Sequence, residues 1–264
     1  MNRPIALMTD FGSKDHYVGS LKGVILGINP RAVIFDITHE IRPQNIWEGA
    51  FVLNSIYSVL PKGTIVVAVV DPGVGSMRQA LCIKTAGGYL IAPNNGILSL
   101  ALEHEEKYET RSIENEKYFR KPVSATFHGR DIFAPSAAWL SKRDVFRSFG
   151  PRLHKIHTLH IPKAMRDRNW INGEVIYIDR FGNAITNIQK LDLDRWVKGS
   201  GIRIFVKGRR EVHLKPFFSA GAPGALIAVW NSGNSLEFAV RNDSAKERYG
   251  LKIGDTVAIQ IRKS

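Results

Sequence analysis

The sequence predicts an α/β domain with a mostly parallel sheet flanked by helices, followed by a smaller C-terminal β-barrel domain. Two observations carry this prediction. The first half alternates short apolar runs with segments of helical periodicity, which is typical of βαβ units. After about residue 160 helical periodicity becomes scarce, and strand-like runs are separated by Gly, Asn and Asp turns. We expect domains at 1–161 and 174–264, joined by a polar linker at 162–173.

The elements follow from local patterns. Strands buried on both faces are predicted at IALMTD, AVIFDIT, TIVVAVVD, ALCIKTA and GYLIAP. Helices are predicted in HYVGSLKGVILGI and NIWEGAFVLNSIYSVL, and another in DIFAPSAAWLSK with Pro135 near its first turns. In the second half, strands are predicted within GEVIYIDRFGNAITNI, GIRIFVKGRREVHLK, PGALIAVWNSGNSLEFAVRN and TVAIQIRK.

The composition is that of an ordinary globular protein, with 264 residues, 44% of them hydrophobic and 23% charged. The single cysteine, Cys82, excludes an internal disulfide and lies in an apolar run, which favours a buried thiol and a reducing compartment. The N-terminal apolar stretch is too short for a signal peptide, and no window approaches the roughly 18 apolar residues of a membrane span. We therefore expect a cytoplasmic protein.

The net charge of +13 raises the possibility of a nucleic-acid partner. The basic residues are scattered, however, and the densest clusters are short: Lys207, Arg209 and Arg210, and Arg166 and Arg168. No aromatic-interleaved segment accompanies them. The pattern therefore favours a solvated basic surface over nucleic-acid binding.

Three predicted strands end in an acid, namely Asp10, Asp36 and Asp71. Ligands of open α/β sheets bind outside the carboxyl ends of the strands, so topology would gather these acids. Each one taken singly is equally compatible with a helix N-cap or a turn. The stretch VVDPGVGSMR lacks the ending of a P-loop, and its acid would repel a phosphate. It favours a working carboxylate at Asp71, with Arg78 as a partner.

A second cluster, TFHGRDIFAP, places His128 beside a glycine and just before a helix. Two kinds of site remain open from these residues alone. One is a hydrolase using Mg²⁺, Mn²⁺ or Zn²⁺, with ligands drawn from Asp10, Asp15, His16, Asp36, His39, Asp71, His128 and Asp131. The other is a metal-free site in which an acid, an Arg and a His manage a water or an anion. The polar loops RFGNAITN and WNSGNSLEF are compatible either with simple β-turns or with functional loops.

Taken together, seven motifs resemble one family. They are MTDFG, DITHEI, VVDPGVGS followed by Arg78, APNNG, TFHGRDIFAP, DRFGNAITNI and NSGNSLEFAVRN. In this order they resemble the S-adenosylmethionine (SAM) hydroxide adenosyltransferases, or adenosyl-forming SAM hydrolases, which are related to SAM-dependent fluorinating and chlorinating enzymes. The resemblance extends from Met8 to about Gly254. It implies an α/β domain followed by a β-barrel, and a homotrimer with SAM bound between neighbouring subunits.

The resemblance also implies the reaction, in which water attacks C5′ of the SAM ribose to give adenosine and L-methionine without a cofactor or a metal. The family's Asp–Arg–His trio carries over to Asp71, Arg78 and His128, with either Asp71 or His128 as the base. Asp10 matches the acid that holds the ribose hydroxyls. Contacts to the methionyl group and the adenine carry over to Asp179, Asn183, Ser232 and Glu237, and a backbone contact to adenine carries over to Val240.

The departures from the halogenating relatives favour hydrolysis over halogenation. Gln44 stands where the fluorinating enzymes have a Trp, and DPGVGS replaces a hydroxyl-rich halide pocket. The longer insertion associated with fluorination is missing after Arg78. A carboxylate at Asp71 would repel halide but can hold water. The alternatives to a SAM hydrolase are a SAM-dependent halogenase and a non-catalytic SAM- or adenosine-binding protein with a regulatory or RNA-associated role.

Overall fold

The chain forms two compact units, Met1–His160 and Ile161–Ser264. The computed structural model describes residues 3–196, 201–208 and 210–262. The predicted fold class is confirmed, with a helix-flanked sheet in the first unit and a closed barrel in the second. Within the described residues, no helix is both long enough and apolar enough to cross a membrane.

The first unit is built on a seven-stranded sheet of order β2-β1-β3-β5-β4-β6-β7. Its strands are β1 (Ile5–Thr9), β2 (Ile34–Thr38), β3 (Thr64–Val69), β4 (Ala80–Lys84), β5 (Gly88–Pro93), β6 (Glu109–Ser112) and β7 (Arg152–Leu153). Its helices are α1 (Tyr17–Ile28), α2 (Ile46–Tyr57), α3 (Ser99–Leu102) and α4 (Ala134–Lys142). The four strands β2, β1, β3 and β5 are parallel, and they form the half of the sheet that the βαβ pattern predicts.

Alternate residues of the central strands enter two different cores. Ile5 and Leu7 of β1 pack with α1 and α4 on one face of the sheet. Ala6 and Met8 pack on the other face with Leu53 of α2. Because successive side chains of a strand point to opposite faces, a strand covered on both sides must be apolar throughout. The continuous apolar runs in the sequence are therefore explained by helices on both faces.

Strand β4 differs from the expected parallel arrangement, since it pairs antiparallel with both β5 and β6. Only three residues separate β4 from β5, and a parallel crossover needs a dozen or more. The short connection therefore forces a hairpin. The strands β6 and β7 extend this antiparallel edge and are not predicted by the sequence patterns.

The second unit is a barrel closed by the pairing of β9 with β10. Its strands are β8 (Met165–Asp167), β9 (Trp170–Ile178), β10 (Ala184–Gln189), β11 (Ile202–Val206), β12 (Arg210–Leu214), β13 (Leu226–Trp230), β14 (Ser235–Val240) and β15 (Thr256–Ile261), and its short helices are α5 (Lys190–Trp196) and α6 (Ala245–Tyr249). The expected linker at 162–173 is strand over much of its length, because β8 pairs with β9 in the sheet. Its polar residues belong to an edge hairpin rather than to a free connection.

Candidate active site

Two carboxylates meet at the carboxyl ends of neighbouring parallel strands. In the pairing of β1 with β3, Thr9 lies opposite Val69, so Asp10 and Asp71 leave the sheet at the same edge. Burial raises the pKa of Asp10, and the negative charge of Asp71 adds to the rise. The Gln44 N–H opposes it by donating a hydrogen bond of 2.8 Å to Asp10 Oδ2. The register of β1 and β3 thus brings both acids to one edge of the sheet.

Asp36 does not join this pair, although the sequence places it at a strand end. It lies inside β2 opposite Leu7, and the strand continues to Thr38. Its carboxylate instead contacts Lys22 Nζ at 2.6 Å and His39 Nε2 at 3.1 Å. The expectation of three gathered acids is wrong for this one residue, because β2 extends two residues beyond it.

Arg78 folds back onto Asp71 in a close, largely desolvated ion pair. Its Nε lies 2.8 and 2.9 Å from the two carboxylate oxygens, and its Nη2 lies 2.5 Å from Oδ2. The side chains of Asp71 and Arg78 are only 4% and 10% exposed. The guanidinium also lies over the ring of Phe133, 5.4 Å from its centroid. This pairing fixes the guanidinium in one orientation.

Gly75 permits the turn between Asp71 and Arg78 to pack closely. Its φ is +79°, and a Cβ built there would lie 2.3 Å from the carbonyl oxygen of Ala125. At Gly73 the nearest atom to such a Cβ is Ser76 Oγ at 3.5 Å, an ordinary contact. Asn95 supports the other end of the turn by donating a hydrogen bond of 2.7 Å to the Val70 carbonyl. Gly75 therefore serves the close approach of two backbone segments, whereas Gly73 leaves room for a side chain.

His128 completes a chain of three polar side chains. Arg78 Nη2 lies 2.8 Å from His128 Nδ1, and a guanidinium can only donate. Nδ1 must therefore be unprotonated, and the proton of the neutral ring lies on Nε2. Burial lowers the pKa of His128, and the positive charge of Arg78 lowers it further, while Asp71 and Asp131 oppose these effects. The arrangement thus holds His128 as a neutral imidazole.

Asp131 anchors the turn that carries His128, a role that the sequence analysis did not assign to it. The π-helical turn Gly129–Phe133 follows His128 directly, and turns of this kind often mark functional sites. Asp131 is fully buried within it. Its carboxylate accepts hydrogen bonds from Arg130 at 2.7 and 2.8 Å and from the Ser124 N–H at 2.9 Å. The adjacent RD pair in TFHGRD was the available signal for this anchor.

The barrel carries a second polar cluster, between β9 and β10 and at the start of β14. Asp179 Oδ1 accepts hydrogen bonds from the N–H groups of Phe181 and Asn183, at 2.9 and 2.8 Å. Asn183 Nδ2 donates to Asp179 Oδ2 at 3.1 Å. Glu237 is only 4% exposed, and the side chains of Asn231 and Asn183 hydrogen-bond to it. Burial raises the pKa of Glu237, and the charge of Asp179 contributes to the rise.

The structure therefore brings three of the predicted barrel residues together, Asp179, Asn183 and Glu237, and adds Asn231. Ser232 is exposed in the adjoining turn. The Val240 side chain packs in the barrel core, and its carbonyl accepts a hydrogen bond from the Asp243 N–H at 3.2 Å. Both RFGN and NSGNSLEF thus form polar loops around a buried acid, which exceeds what simple β-turns require.

The residues proposed as ligands in the metal reading fall into separate groups. Asp131 is engaged by arginines, and Asp36 and His39 contact each other apart from the Asp71–Arg78 pair. In the part of the chain that the structure describes, no three His, Cys, Asp or Glu residues are arranged to hold a metal ion.

The basic cluster of the barrel is engaged in contacts within its own unit. Lys207 Nζ donates to the Gly250 carbonyl at 3.0 Å, and the Arg210 guanidinium lies 4.8 Å from the centroid of the Tyr249 ring. Arg209 lies outside the described residues. The contacts of Lys207 and Arg210 are those of side chains that cover their own barrel.

Comparisons with known proteins find relatives over nearly the whole chain. Models of the SAM hydroxide adenosyltransferase N-terminal and C-terminal domains match residues 5–150 and 173–258. A Methanocaldococcus jannaschii protein named (R)-S-adenosyl-L-methionine hydrolase is 41% identical, over 97% of this chain and 95% of its own. A Thermus thermophilus protein of the same name is 34% identical, over 97% and 99% of the two chains. A fluorinase of Nocardia brasiliensis is 28% identical, over 98% and 97%.

A solved structure has a closely similar fold. The crystal structure of an uncharacterized conserved protein from Thermotoga maritima superposes with a TM-score of 0.89 at 39% identity, covering 97% of this chain and 99% of that one. Two domain models that together match most of the sequence, in the order that the two units have in the structure, leave one assignment. The chain belongs to the SAM hydroxide adenosyltransferase family.

Proposed function

We propose that this protein hydrolyses S-adenosyl-L-methionine to adenosine and L-methionine. The observation that carries the proposal is the chain Asp71–Arg78–His128, which lies beside Asp10 at the carboxyl edge of the sheet. The full-length relatives named (R)-S-adenosyl-L-methionine hydrolase support the same reaction. The protein is thus an adenosine-forming enzyme.

The reaction makes few demands on an enzyme, and the residues fit them. A bond forms between a water oxygen and C5′ as the C5′–S bond breaks, and its electron pair neutralises the sulfonium. The water loses a proton, so the products are adenosine, methionine and H⁺. The sulfonium is an excellent leaving group and needs no general acid. The site must hold a water in line with the C5′–S bond and away from bulk solvent.

The hydrogen-bond directions favour Asp71 over His128 as the group that takes the proton. His128 Nδ1 is occupied by Arg78, and Nε2 carries the proton of the neutral ring, so the imidazole can receive a proton only by giving up Arg78. Asp71 is an acceptor at both oxygens. Arg78 supplies a fixed positive charge that stabilises the developing hydroxide. His128 then orients Arg78, and its Nε2–H can donate to the water.

Substrate binding is divided between the two polar clusters. Asp10, oriented by the Gln44 N–H, accepts hydrogen bonds from the two ribose hydroxyls. Asp179, Asn183, Ser232 and Glu237 contact the methionyl group and the adenine, and Val240 adds a backbone contact to adenine. SAM is cationic, so the buried acids of both clusters offset the repulsion of a chain with a net charge of +13. No metal or cofactor takes part in this scheme.

We propose further that the protein is a cytoplasmic homotrimer with the site between neighbouring subunits. The family resemblance supports the trimer, and the buried free Cys82 suits a reducing compartment. Native mass spectrometry tests the assembly directly. Mixing Asp71→Asn subunits with Glu237→Gln subunits tests the shared site, because activity returns only if one site draws on two chains.

The decisive experiment uses the EDTA-treated protein and SAM in H₂¹⁸O. Mass spectrometry of the products should find adenosine with ¹⁸O at the 5′ position and an equal amount of methionine. A parallel reaction with fluoride, chloride or bromide tests for 5′-halogenated 5′-deoxyadenosine. Halogenated product without labelled adenosine would identify a halogenase. Thermal protection by SAM without turnover would indicate a binding protein, and activity restored only by added Mg²⁺, Mn²⁺ or Zn²⁺ would overturn the metal-free scheme.

A further inference from the structure

A second polar chain in the α/β unit is not used by the reaction. It runs from Thr9 through His39 and Asp36 to Lys22. Thr9 is fully buried, and His39 is 8% exposed. Burying polar groups in a sheet edge is unfavourable unless they hydrogen-bond, so such a chain requires an explanation.

Of the two ring nitrogens of His39, only Nδ1 takes part in a hydrogen bond. Thr9 Oγ1 lies 2.8 Å from His39 Nδ1. The hydroxyl already accepts a hydrogen bond from the Phe11 N–H at 3.2 Å, so its own hydrogen is available to His39. His39 Nε2 approaches Asp36 Oδ1 at 3.1 Å, but without the geometry of a hydrogen bond. The Thr9 contact is therefore the specific one.

The order Thr–His–Asp resembles a nucleophilic triad, but burial argues against that function. Thr9 has no exposed surface, and its oxygen already serves the Phe11 N–H. A substrate carbonyl could not reach it. These polar side chains must therefore act on the neighbouring parts of the protein rather than on a second substrate.

Those surroundings are the backbone that carries Asp10. Thr9 holds the Phe11 N–H, and the His39 carbonyl accepts a hydrogen bond of 2.7 Å from the Gly12 N–H. The Gln44 N–H holds the Asp10 carboxylate itself, from a backbone with a φ of +66°. Such a conformation is strained for a residue other than glycine, and it persists only where the surrounding contacts require it. Thr9, His39 and Gln44 therefore each hold a different point of the segment from Asp10 to Gly12.

We propose that His39 is a positioning residue that sets the orientation of the Asp10 carboxylate for the ribose hydroxyls. The inference rests on the proposed function, because it takes Asp10 as the ribose contact. His39 and Thr9 act as one unit, and neither touches the substrate. Together, Thr9 and His39 provide a rigid support for a carboxylate that binds a diol.

The test compares four variants in the full-length protein. Thr9→Val removes the hydroxyl with little change of shape, and Thr9→Ser retains it. His39→Asn keeps a polar atom near the position of Nδ1, whereas His39→Gln keeps one near Nε2. We expect Thr9→Val and His39→Gln to raise the KM for SAM about tenfold, the effect of roughly one hydrogen bond, with kcat changed by less than about twofold. Thr9→Ser and His39→Asn should remain within about threefold of the wild-type KM.

The binding of adenosine distinguishes a loss of Asp10 orientation from a general disruption of the site. Isothermal titration calorimetry should show that Thr9→Val weakens the binding of adenosine. The same variant should bind 2′,3′-dideoxyadenosine as well as the wild type does, since that ligand has no ribose hydroxyls for Asp10. The double variant Thr9→Val/His39→Gln should be no worse than either single variant, because the two residues act together. Asp36→Asn serves as the comparison at the far end of the chain and should leave adenosine binding unchanged.

The outcomes are distinguishable. A wild type that neither hydrolyses SAM nor binds adenosine refutes the proposed function. If the wild type does both but Thr9→Val and His39→Gln leave the KM for SAM unchanged, only the positioning role is refuted. The same conclusion follows if Thr9→Val weakens the binding of adenosine and of 2′,3′-dideoxyadenosine equally. Histidine ¹⁵N chemical shifts of the wild type give a check without variants. A protonated Nδ1 on His39 at pH 7 would overturn the proposal.

Discussion

Breaking the Asp71–Arg78 pair from one side is expected to destabilise the edge of the sheet far more than removing both charges. The pair is almost fully desolvated, with exposed fractions of 4% and 10% for its two side chains. For charges about 4 Å apart at an effective dielectric constant of about 20, the attraction is about 4 kcal/mol. Loss of one partner leaves a buried charge uncompensated, which costs about 3–5 kcal/mol. Asp71→Asn and Arg78→Met should each cost about that much.

The double variant Asp71→Asn/Arg78→Met should cost less than either single variant, because it leaves no isolated charge behind. The assay is native-state hydrogen exchange of the amides of Thr64–Val69, which reports the local opening of β3 in a chain of two units. A single-variant loss of about 3 kcal/mol corresponds to a roughly 100-fold faster exchange. All three variants should lose SAM hydrolysis. Only the double variant should lose activity while keeping most of its stability, so it distinguishes the two effects. Strictly additive costs, or single costs below about 1 kcal/mol, would refute the desolvated pair.

Three further predictions concern single positions. His128→Asn keeps an acceptor for Arg78 near Nδ1 and should retain more kcat than His128→Leu; equal losses in single-turnover assays would contradict the orienting role. Because burial and Asp71 raise the pKa of Asp10, its ionisation costs stability as the pH rises through that value. Asp10→Asn should therefore raise the Tm at pH 7 and lose this gain below about pH 4, while adenosine binding falls; an unchanged Tm at pH 7 would contradict it. Gly75→Ala should abolish activity and Gly73→Ala should not, as tested by SAM turnover and Tm, and an active Gly75→Ala protein would show that the turn can move.

Much of the fold could be predicted because its signals are local. The five predicted strands of the first unit are present at β1 to β5, since apolar runs covered on both faces are recorded directly in the sequence. The parallel order also placed Asp10 and Asp71 together in advance, because β1 and β3 are neighbours. The antiparallel direction of β4 follows from its connection of three residues to β5. That short connection is visible in the sequence, but the apolar character of β4 indicated a parallel strand instead.

The details of the site could not be predicted, because they depend on contacts between segments far apart in the chain. Arg78 and His128 are 50 residues apart, and only their contact of 2.8 Å defines the tautomer of the imidazole. Thr9 and His39 carry no signal for each other until β1 and β2 pair. The sequence by itself determined which residue types lie at the ends of which strands, since apolar runs and turn residues act locally. The tertiary structure alone decided which of those residues touch and in which direction each hydrogen bond runs, since orientation and burial arise only when distant segments pack.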